Sequence, residues 1–515
     1  MATQRDDELI AAEKNVKGTV EQEVLEDGAE HHQSLEKYIN RVTATSFSFV
    51  LLASWVGSIT TMQLSLVNGG PASMVYGSIF SGAGTTLVAV SLAEMASIDP
   101  TVGAQYRWSA AFAPRWKTFF GLMQGWITVF AWICSCTSVA ALVANIISGL
   151  AVFNYPDYKP QRWYFTLLMW GTTIFPFLSN FWFKRTVVPL ENLGAILNVV
   201  MFIASIVTLL VLAERSTVEY VFQTLTNDVS GWTNLTVAWS IGLLSVTYPL
   251  TGFDSVIHMS DEVKKARLEV PRSMITSVIL NALMQFVFML TVLFAIGDTA
   301  LVLASPLPIL QVYHQATGSR TATNFFVTMI AVLGFISFFN CFASVSRLLW
   351  AFSRDNGLPF SNTFARIHPK LRLPANGLLL LAACLCLLSL INIGSSTAFN
   401  AFVSLPVLGL YISYFFPILF FLMRRLSRTH ASSIPWGPFR LSRAGPAVNV
   451  AALCYLGFML VWLPFPAFVP VDAVNMNYAG PVTGAVILGA LVDWYVSGRK
   501  RFQVPVARSE VDLDD

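Results

Sequence analysis

Twelve apolar runs, each long enough to cross a bilayer, follow one another along this chain and leave little room for anything else. They lie at about residues 46–67, 72–96, 118–149, 163–183, 189–213, 235–257, 273–297, 323–352, 376–393, 398–423, 446–466 and 478–497. A hydrocarbon core of about 30 Å takes ~20 helical residues to span, and inside it every backbone polar group must be paired within the segment. The expected fold is therefore an all-α polytopic membrane protein with twelve transmembrane helices. Composition agrees: charged residues are 12% of the 515 and hydrophobic ones 55%, where an ordinary soluble chain carries ~25% charged residues.

Three domains are expected: a polar tail at 1–43, a membrane domain at 44–498 and a short tail at 499–515. The first 40 residues are charged and lack a basic start followed by an apolar core, so they read as a tail and not as a signal peptide. An even number of crossings puts both termini on one side. With both in the cytoplasm, the outer loops hold only Lys159, Arg162, Arg215 and Arg320, while the inner loops hold Lys264, Lys265, Arg267, Arg272 and Arg424, Arg425, Arg428. The positive-inside rule selects that orientation. A net charge of +3, spread over short loops, excludes a nucleic-acid partner. The six cysteines all fall in apolar runs and read as small hydrophobes. No two histidines share a ligand spacing within the membrane, so no metal or other cofactor is expected, and no nucleophile triad points to an enzyme.

Most Gly, Ala and Ser in membrane helices serve close packing. Two stretches ask for more. The first span reads Trp55-Val56-Gly57-Ser58-Ile59-Thr60-Thr61, a glycine among hydroxyls at mid-membrane. The sixth reads Thr247-Tyr248-Pro249-Leu250-Thr251-Gly252-Phe253-Asp254, where proline removes a backbone donor and glycine loosens the chain beside a carboxylate. Spans 1 and 6 are corresponding members of two five-helix halves. Interrupted helices at matched positions point to a transporter site between inverted repeats.

Three motifs carry a family resemblance. Ala93-Glu94-Met95-Ala96-Ser97 leads through Asp99-Pro100-Thr101-Val102-Gly103-Ala104-Gln105-Tyr106 to Trp108. Gly252-Phe253-Asp254 leads through His258-Met259-Ser260-Asp261-Glu262-Val263 to Pro271-Arg272, and Ser346-Arg347 to Trp350-Ala351-Phe352-Ser353-Arg354-Asp355-Asn356-Gly357-Leu358-Pro359. Together, over roughly residues 35 to 500, they resemble the amino acid, polyamine and organocation superfamily, in particular its fungal amino acid/choline branch with choline and γ-aminobutyrate permeases. Ala104 stands where that pattern has a second glycine. The resemblance implies a five-plus-five inverted repeat, helices 11 and 12 appended, and substrate held between unwound helices 1 and 6 with walls from 3, 8 and 10.

Free N–H groups at Gly57, Ser58 and Ile59, beside Val56, would face a substrate carboxylate, since a helix N-terminus attracts anions. Carbonyls released around Tyr248, Leu250 and Thr251, beside Gly252, would accept from an ammonium group. Close packing is the competing reading for Gly57 and Gly252. Alignment on Gly252-Phe253-Asp254 places Tyr248 where relatives carry an aromatic gate, and its π face could attract a quaternary ammonium. Trp55, Phe130, Trp132 and Phe253 are candidates for the rest of an aromatic lining, packing being the alternative for each.

Ionisable residues within a membrane are functional candidates by default. Asp254 reads either as a proton-coupling group or as a hydrogen-bond partner of loosened backbone; Glu94 as a gating group or as the partner of a loop arginine. Asp261, Glu262, Lys264 and Lys265 read as a solvated charge run, with an inner-gate network as the alternative. Some relatives hold a lysine in helix 5; here that helix offers Glu191, Asn192 and Asn198 and no lysine, so proton coupling rests on the resemblance alone. Asn234-Leu235-Thr236 matches the glycosylation sequon but abuts the membrane.

The expected function is secondary active import of an amino acid or related small nitrogenous solute, driven by protons. Choline and γ-aminobutyrate compete as substrates, and a polyamine trails because the broken helices lack an excess of acids. A nutrient-sensing receptor on the same fold is the alternative from another class. Partners are the solute, protons, the lipid bilayer and, at the tails, trafficking or ubiquitination machinery; the plasma membrane is preferred to the vacuole.

Overall fold

A computed structural model describes residues 37–503 apart from 156, 183–186, 370–372, 395–397 and 474. Most of both polar tails, 1–36 and 504–515, lies outside the described residues. The described chain is helical, with no β-sheet and one isolated bridge, Ile39 to Val263.

Span 1 is Arg41–Leu52 followed by Ser54–Val67; span 2 is Gly70–Ile98, span 3 Lys117–Asn154, span 4 Arg162–Trp182 and span 5 Val187–Leu212. Span 6 is assembled from pieces: Leu235–Gly242, Leu244–Thr247, and two 3₁₀ segments, Tyr248–Leu250 and Phe253–Glu262. Span 7 is Ala266–Phe294, span 8 Arg320–Arg354, span 9 Ala375–Ser389, span 10 Ala398–Leu426, span 11 Gly445–Trp462 and span 12 Ala479–Asp493. Among the described residues, eleven helical segments are long and apolar enough to cross a membrane. Span 4 falls short because Arg162, Trp163, Tyr164, Thr172, Thr173 and Asn180 lower its hydropathy, yet it packs along spans 3, 8 and 9 as a full-length helix. A short helix, Ala104–Phe112, joins spans 2 and 3 and packs against span 10.

The two discontinuities expected from sequence are present, and the structure shows what repairs them. In span 1 the chain turns at Ala53, whose φ of 35° is a left-handed conformation that a side chain resists. In span 6, Pro249 cannot donate and Gly252 adopts φ 97°. The groups freed at both breaks are taken up by span 7. Asn281 accepts from Ser54 N–H at 2.9 Å and donates to the Phe49 carbonyl at 3.1 Å, so one side chain bridges the gap at Ala53. One turn on, Gln285 donates to the Val246 carbonyl at 2.8 Å. Ser54 Oγ donates to the Pro249 carbonyl at 2.6 Å, tying the two breaks together, and Ser337 of span 8 donates to the Leu51 carbonyl. Irregular backbone in a membrane is tolerated only with such partners.

Both described chain ends lie at the same end of the bundle, called here the tail end. Tyr38 and Ile39 N–H both donate to the Glu262 carbonyl, and Lys264 N–H donates to that of Ile39. At the other terminus Phe502 is buried beside Tyr106 and Phe352, and Arg501 donates to the carbonyls of Asn356 and Gly357.

Candidate functional site

The two breaks enclose a cavity of about 60 Å³. Spans 1 and 6 supply Ala53, Val56 and Gly57, and Tyr248, Pro249, Thr251 and Gly252; span 3 supplies Trp132 and Ser135, span 8 Ser337 and Cys341, and span 10 Pro406. Of the candidates from sequence, Val56, Gly57, Trp132, Tyr248, Thr251 and Gly252 line it. The Tyr248 hydroxyl pairs with Ser138 Oγ at 2.8 Å, which fixes the ring against span 3. Trp132 is buried and its indole N–H has no partner among the described residues. Among the described residues, no carboxylate, lysine or arginine lines the cavity. A far larger hollow of about 1010 Å³ lies between spans 4, 5 and 8, walled by Leu167, Phe175 and Leu193, all exposed on the outside of the bundle; it lacks charged groups and convergent donors.

The expected free N–H groups at Gly57, Ser58 and Ile59 are corrected by the structure. The break sits four residues earlier, and Val56 and Gly57 N–H both donate to the Ala53 carbonyl, at 2.9 and 3.1 Å. Ser58 and Ile59 are inside the second helix of span 1. At the true start of that helix Trp55 N–H makes no backbone hydrogen bond, which leaves one donor at the positive end of the dipole. Gly57 serves close approach: a Cβ placed on it would stand 2.8 Å from Pro249 Cβ. At Gly252 the φ of 97° would strain any side chain, and an added Cβ would also press on the Trp132 ring at 3.2 Å. Of the carbonyls expected to be free, that of Tyr248 accepts from Thr251 N–H at 3.1 Å, whereas those of Leu250 and Thr251 make no hydrogen bond among the described residues.

Four other candidates lie away from the cavity. Trp55 donates to Asn198 Oδ1 at 2.6 Å and packs edge-on against Phe202 and Phe288, toward spans 5 and 7. Phe253 packs on Tyr414. Leu250 is buried and Phe130 half-buried in the surrounding core. Asp254 is buried at the centre of a polar cluster that sequence reasoning missed: Gln105 Nε2 and the Tyr414 hydroxyl both donate to it, and His258 Nε2 lies 3.5 Å away. His258 Nδ1 faces the Val102 carbonyl at 2.7 Å and so carries a proton there. Glu94 is clasped by Arg425, Nη1 to Oε2 at 2.6 Å and Nη2 to Oε1 at 3.1 Å, and accepts from Leu441 N–H at 2.8 Å. That geometry anchors the loop between spans 10 and 11 on span 2.

At the tail end, the reading of Asp261 and Glu262 as a solvated run is overturned. Glu262 is buried and paired with Arg347 at 3.0 Å, and Asp261 meets Arg354 at 3.5 Å. Arg354 also lies 3.7 Å from Asp355, which accepts from the Tyr106 hydroxyl at 2.7 Å. Burial, with the Asp355 carboxylate beside it, holds the Tyr106 phenol well above its ordinary pKa. Lys264 and Lys265 stay exposed. The twist of span 6 after Gly252 turns Asp261 and Glu262 inward toward span 8. Asn234 is an N-cap, accepting from Thr236 and Val237 N–H.

The amino acid permease family model matches residues 39–488. The chain belongs to that family. Its relatives agree along nearly the whole length. A Macrophomina phaseolina protein provisionally named an amino acid/polyamine transporter is 31% identical over 84% of this chain and 96% of its own. The choline transporter of Saccharomyces cerevisiae is 28% identical, with 93% of this chain and 84% of that one covered. An amino-acid permease of Oryza sativa is 29% identical over 92% and 94%. The protein is thus an integral membrane transporter of the amino acid, polyamine and organocation superfamily and not an enzyme. The permease motifs fall on the structural features described: Glu94 on the Arg425 clasp, Gly252 on the break in span 6, and Arg347 on the Glu262 pair.

Proposed function

We propose that this permease imports an amino acid or a related small nitrogenous solute across the plasma membrane, with both termini in the cytoplasm and the proton gradient as driving force. The single observation that carries this is the cavity between the two discontinuous spans, lined by hydroxyls and aromatic rings and free of charged side chains. Thr251 lines the cavity and its carbonyl, without a hydrogen bond among the described residues, suits an ammonium group. A lining without charged side chains suits a zwitterion, whose charges cancel. A choline-like cation is the second reading, supported by Tyr248 and Trp132 on the cavity wall and by the choline transporter among the relatives. A polyamine is disfavoured, because several cationic centres would meet no carboxylate in the lining.

Asp254 is one proposed coupling group, since it sits on the irregular part of span 6 with His258 beside it, and movement of that segment would change its exposure. Glu94, already neutralised by Arg425, is assigned to anchoring. Uptake competition in a permease-deficient yeast, with α-amino acids, γ-aminobutyrate, choline and polyamines, tests the substrate class. Accumulation by purified protein in liposomes under an imposed proton gradient tests transport itself; binding without accumulation would leave a nutrient receptor in its place.

A further inference from the structure

Four carboxylates are buried among the described residues: Glu94, Glu191, Asp254 and Glu262. Three of them are compensated. Arg425 clasps Glu94, Arg347 pairs with Glu262, and Asp254 has two donors and an imidazole beside it. Glu191, near the tail end of span 5, has a single neutral donor: Asn340 Nδ2 of span 8, at 2.7 Å from Oε2. Its Oε1 is buried without a partner, and so is the Asn340 carbonyl oxygen next to it in the same side chain. Asn340 Nδ2 also reaches the Phe47 carbonyl of span 1 at 3.4 Å, so the acid stands where spans 1, 5 and 8 meet.

Among the described residues no charge on the surrounding elements answers it; Lys184 and Arg185, ahead of span 5, lie outside them. Ahead of span 1, the buried Tyr38 phenol lies by Glu262 and Arg347, and Arg41 is paired with Glu269. Span 8 offers Arg347, already held by Glu262, Arg354, held by Asp261 and Asp355, the distant Arg320, and the thiol of Cys341. Span 7 offers Arg267, which donates to the Ser97 carbonyl, and the Glu269–Arg272 pair; the helix Pro308–Thr317, packed on span 5, offers Tyr313 and His314. A carboxylate ion buried without a cation is expensive enough that the group neutralises by taking up a proton.

We propose that Glu191 is a proton carrier of the transport cycle: protonated in this conformation, it releases its proton to water when spans 1 and 8 part from span 5. The carboxylic acid O–H then becomes a carboxylate and a solvated proton, and the acid re-forms as the three spans close. Opening at this junction and the protonation of Glu191 are thereby linked, because the ion is tolerated only where water reaches it. The coupling role rests on proton symport as proposed above, whereas the protonation state does not, and the two are read separately.

Infrared spectroscopy of the purified protein reads the state directly. The wild type should show the C=O stretching band of a buried carboxylic acid at pH 7, and Glu191→Gln should lose it. Asn340→Leu gives a second reading without touching the acid, since loss of its hydrogen bond should move the band to higher frequency. An unchanged band in both variants would show that Glu191 is ionised and would overturn the proposal. In proteoliposomes Glu191→Gln should retain solute counterflow while the accumulation ratio under an inward proton gradient falls to about one. Gradient-driven accumulation that survives in Glu191→Gln would show a fixed proton and remove the coupling role. If the acid band is absent and uptake requires sodium in the wild type but not in Glu191→Gln, the junction is a cation site and the proton assignment fails. A wild type that ignores the proton gradient would defeat symport while the infrared result still decides the state of Glu191.

Discussion

Single residues at the two breaks carry opposite conformational demands. Ala53 holds a left-handed φ that costs an L-residue about 1 kcal/mol, so Ala53→Gly should fold at least as well and transport normally, while Ala53→Val should lose uptake. Gly57 has no room for a side chain against Pro249. Gly57→Val should therefore abolish uptake with surface expression largely kept, as read by labelled-solute uptake beside surface biotinylation; normal transport would show that spans 1 and 6 do not close on each other there. The sequence marks Gly57 and Gly252 as special but not the reason, because a glycine needed for contact and a glycine needed for φ look alike in one dimension. Ala53 carries no signal at all, since nothing in Leu52-Ala53-Ser54 announces a left-handed turn. Asp254 was visible as an acid in a membrane span, whereas Gln105 and Tyr414, its donors, come from 149 and 160 residues away and only folding brings them together.

Among elements, span 7 stands out as the splint of both breaks through Asn281 and Gln285. Each buried polar group left without its partner costs ~1–3 kcal/mol, so Asn281→Leu, which orphans Ser54 N–H and leaves the Phe49 carbonyl only its 3.3 Å bond from Ala53 N–H, should lower thermal stability in detergent well beyond a lipid-facing control such as Leu283→Ala. The Arg347–Glu262 pair locks the end of span 6 to span 8. Removing one member of a buried pair costs about 3–5 kcal/mol, while replacing both by apolar groups can be nearly neutral. Arg347→Met should therefore destabilise the protein, and Arg347→Met with Glu262→Met should recover stability yet leave the tail end more accessible to thiol labelling at an introduced cysteine on span 6. The helices themselves were legible from hydropathy to within a few residues in most spans, since a bilayer leaves few alternatives. The pairing of Asp261 and Glu262 with span 8 was not, because a charged sequence run does not say which way it faces.

At the scale of the molecule, a cavity of about 60 Å³ is well under the ~150 Å³ that accommodates benzene in a protein interior. Loading a solute of choline's size therefore requires spans 1, 6 and 8 to move apart, which the Gly57–Pro249 contact and the Arg347–Glu262 pair are placed to oppose. The central claim is that solute passes through this cavity. Cys341 lines it, and its alkylation in a chain whose other five cysteines are replaced reports on it directly. Saturating transported solute should slow labelling of Cys341 by a small thiol reagent, and the labelled protein should no longer transport. A labelling rate indifferent to solute, with transport intact in the labelled protein, would place the pathway elsewhere.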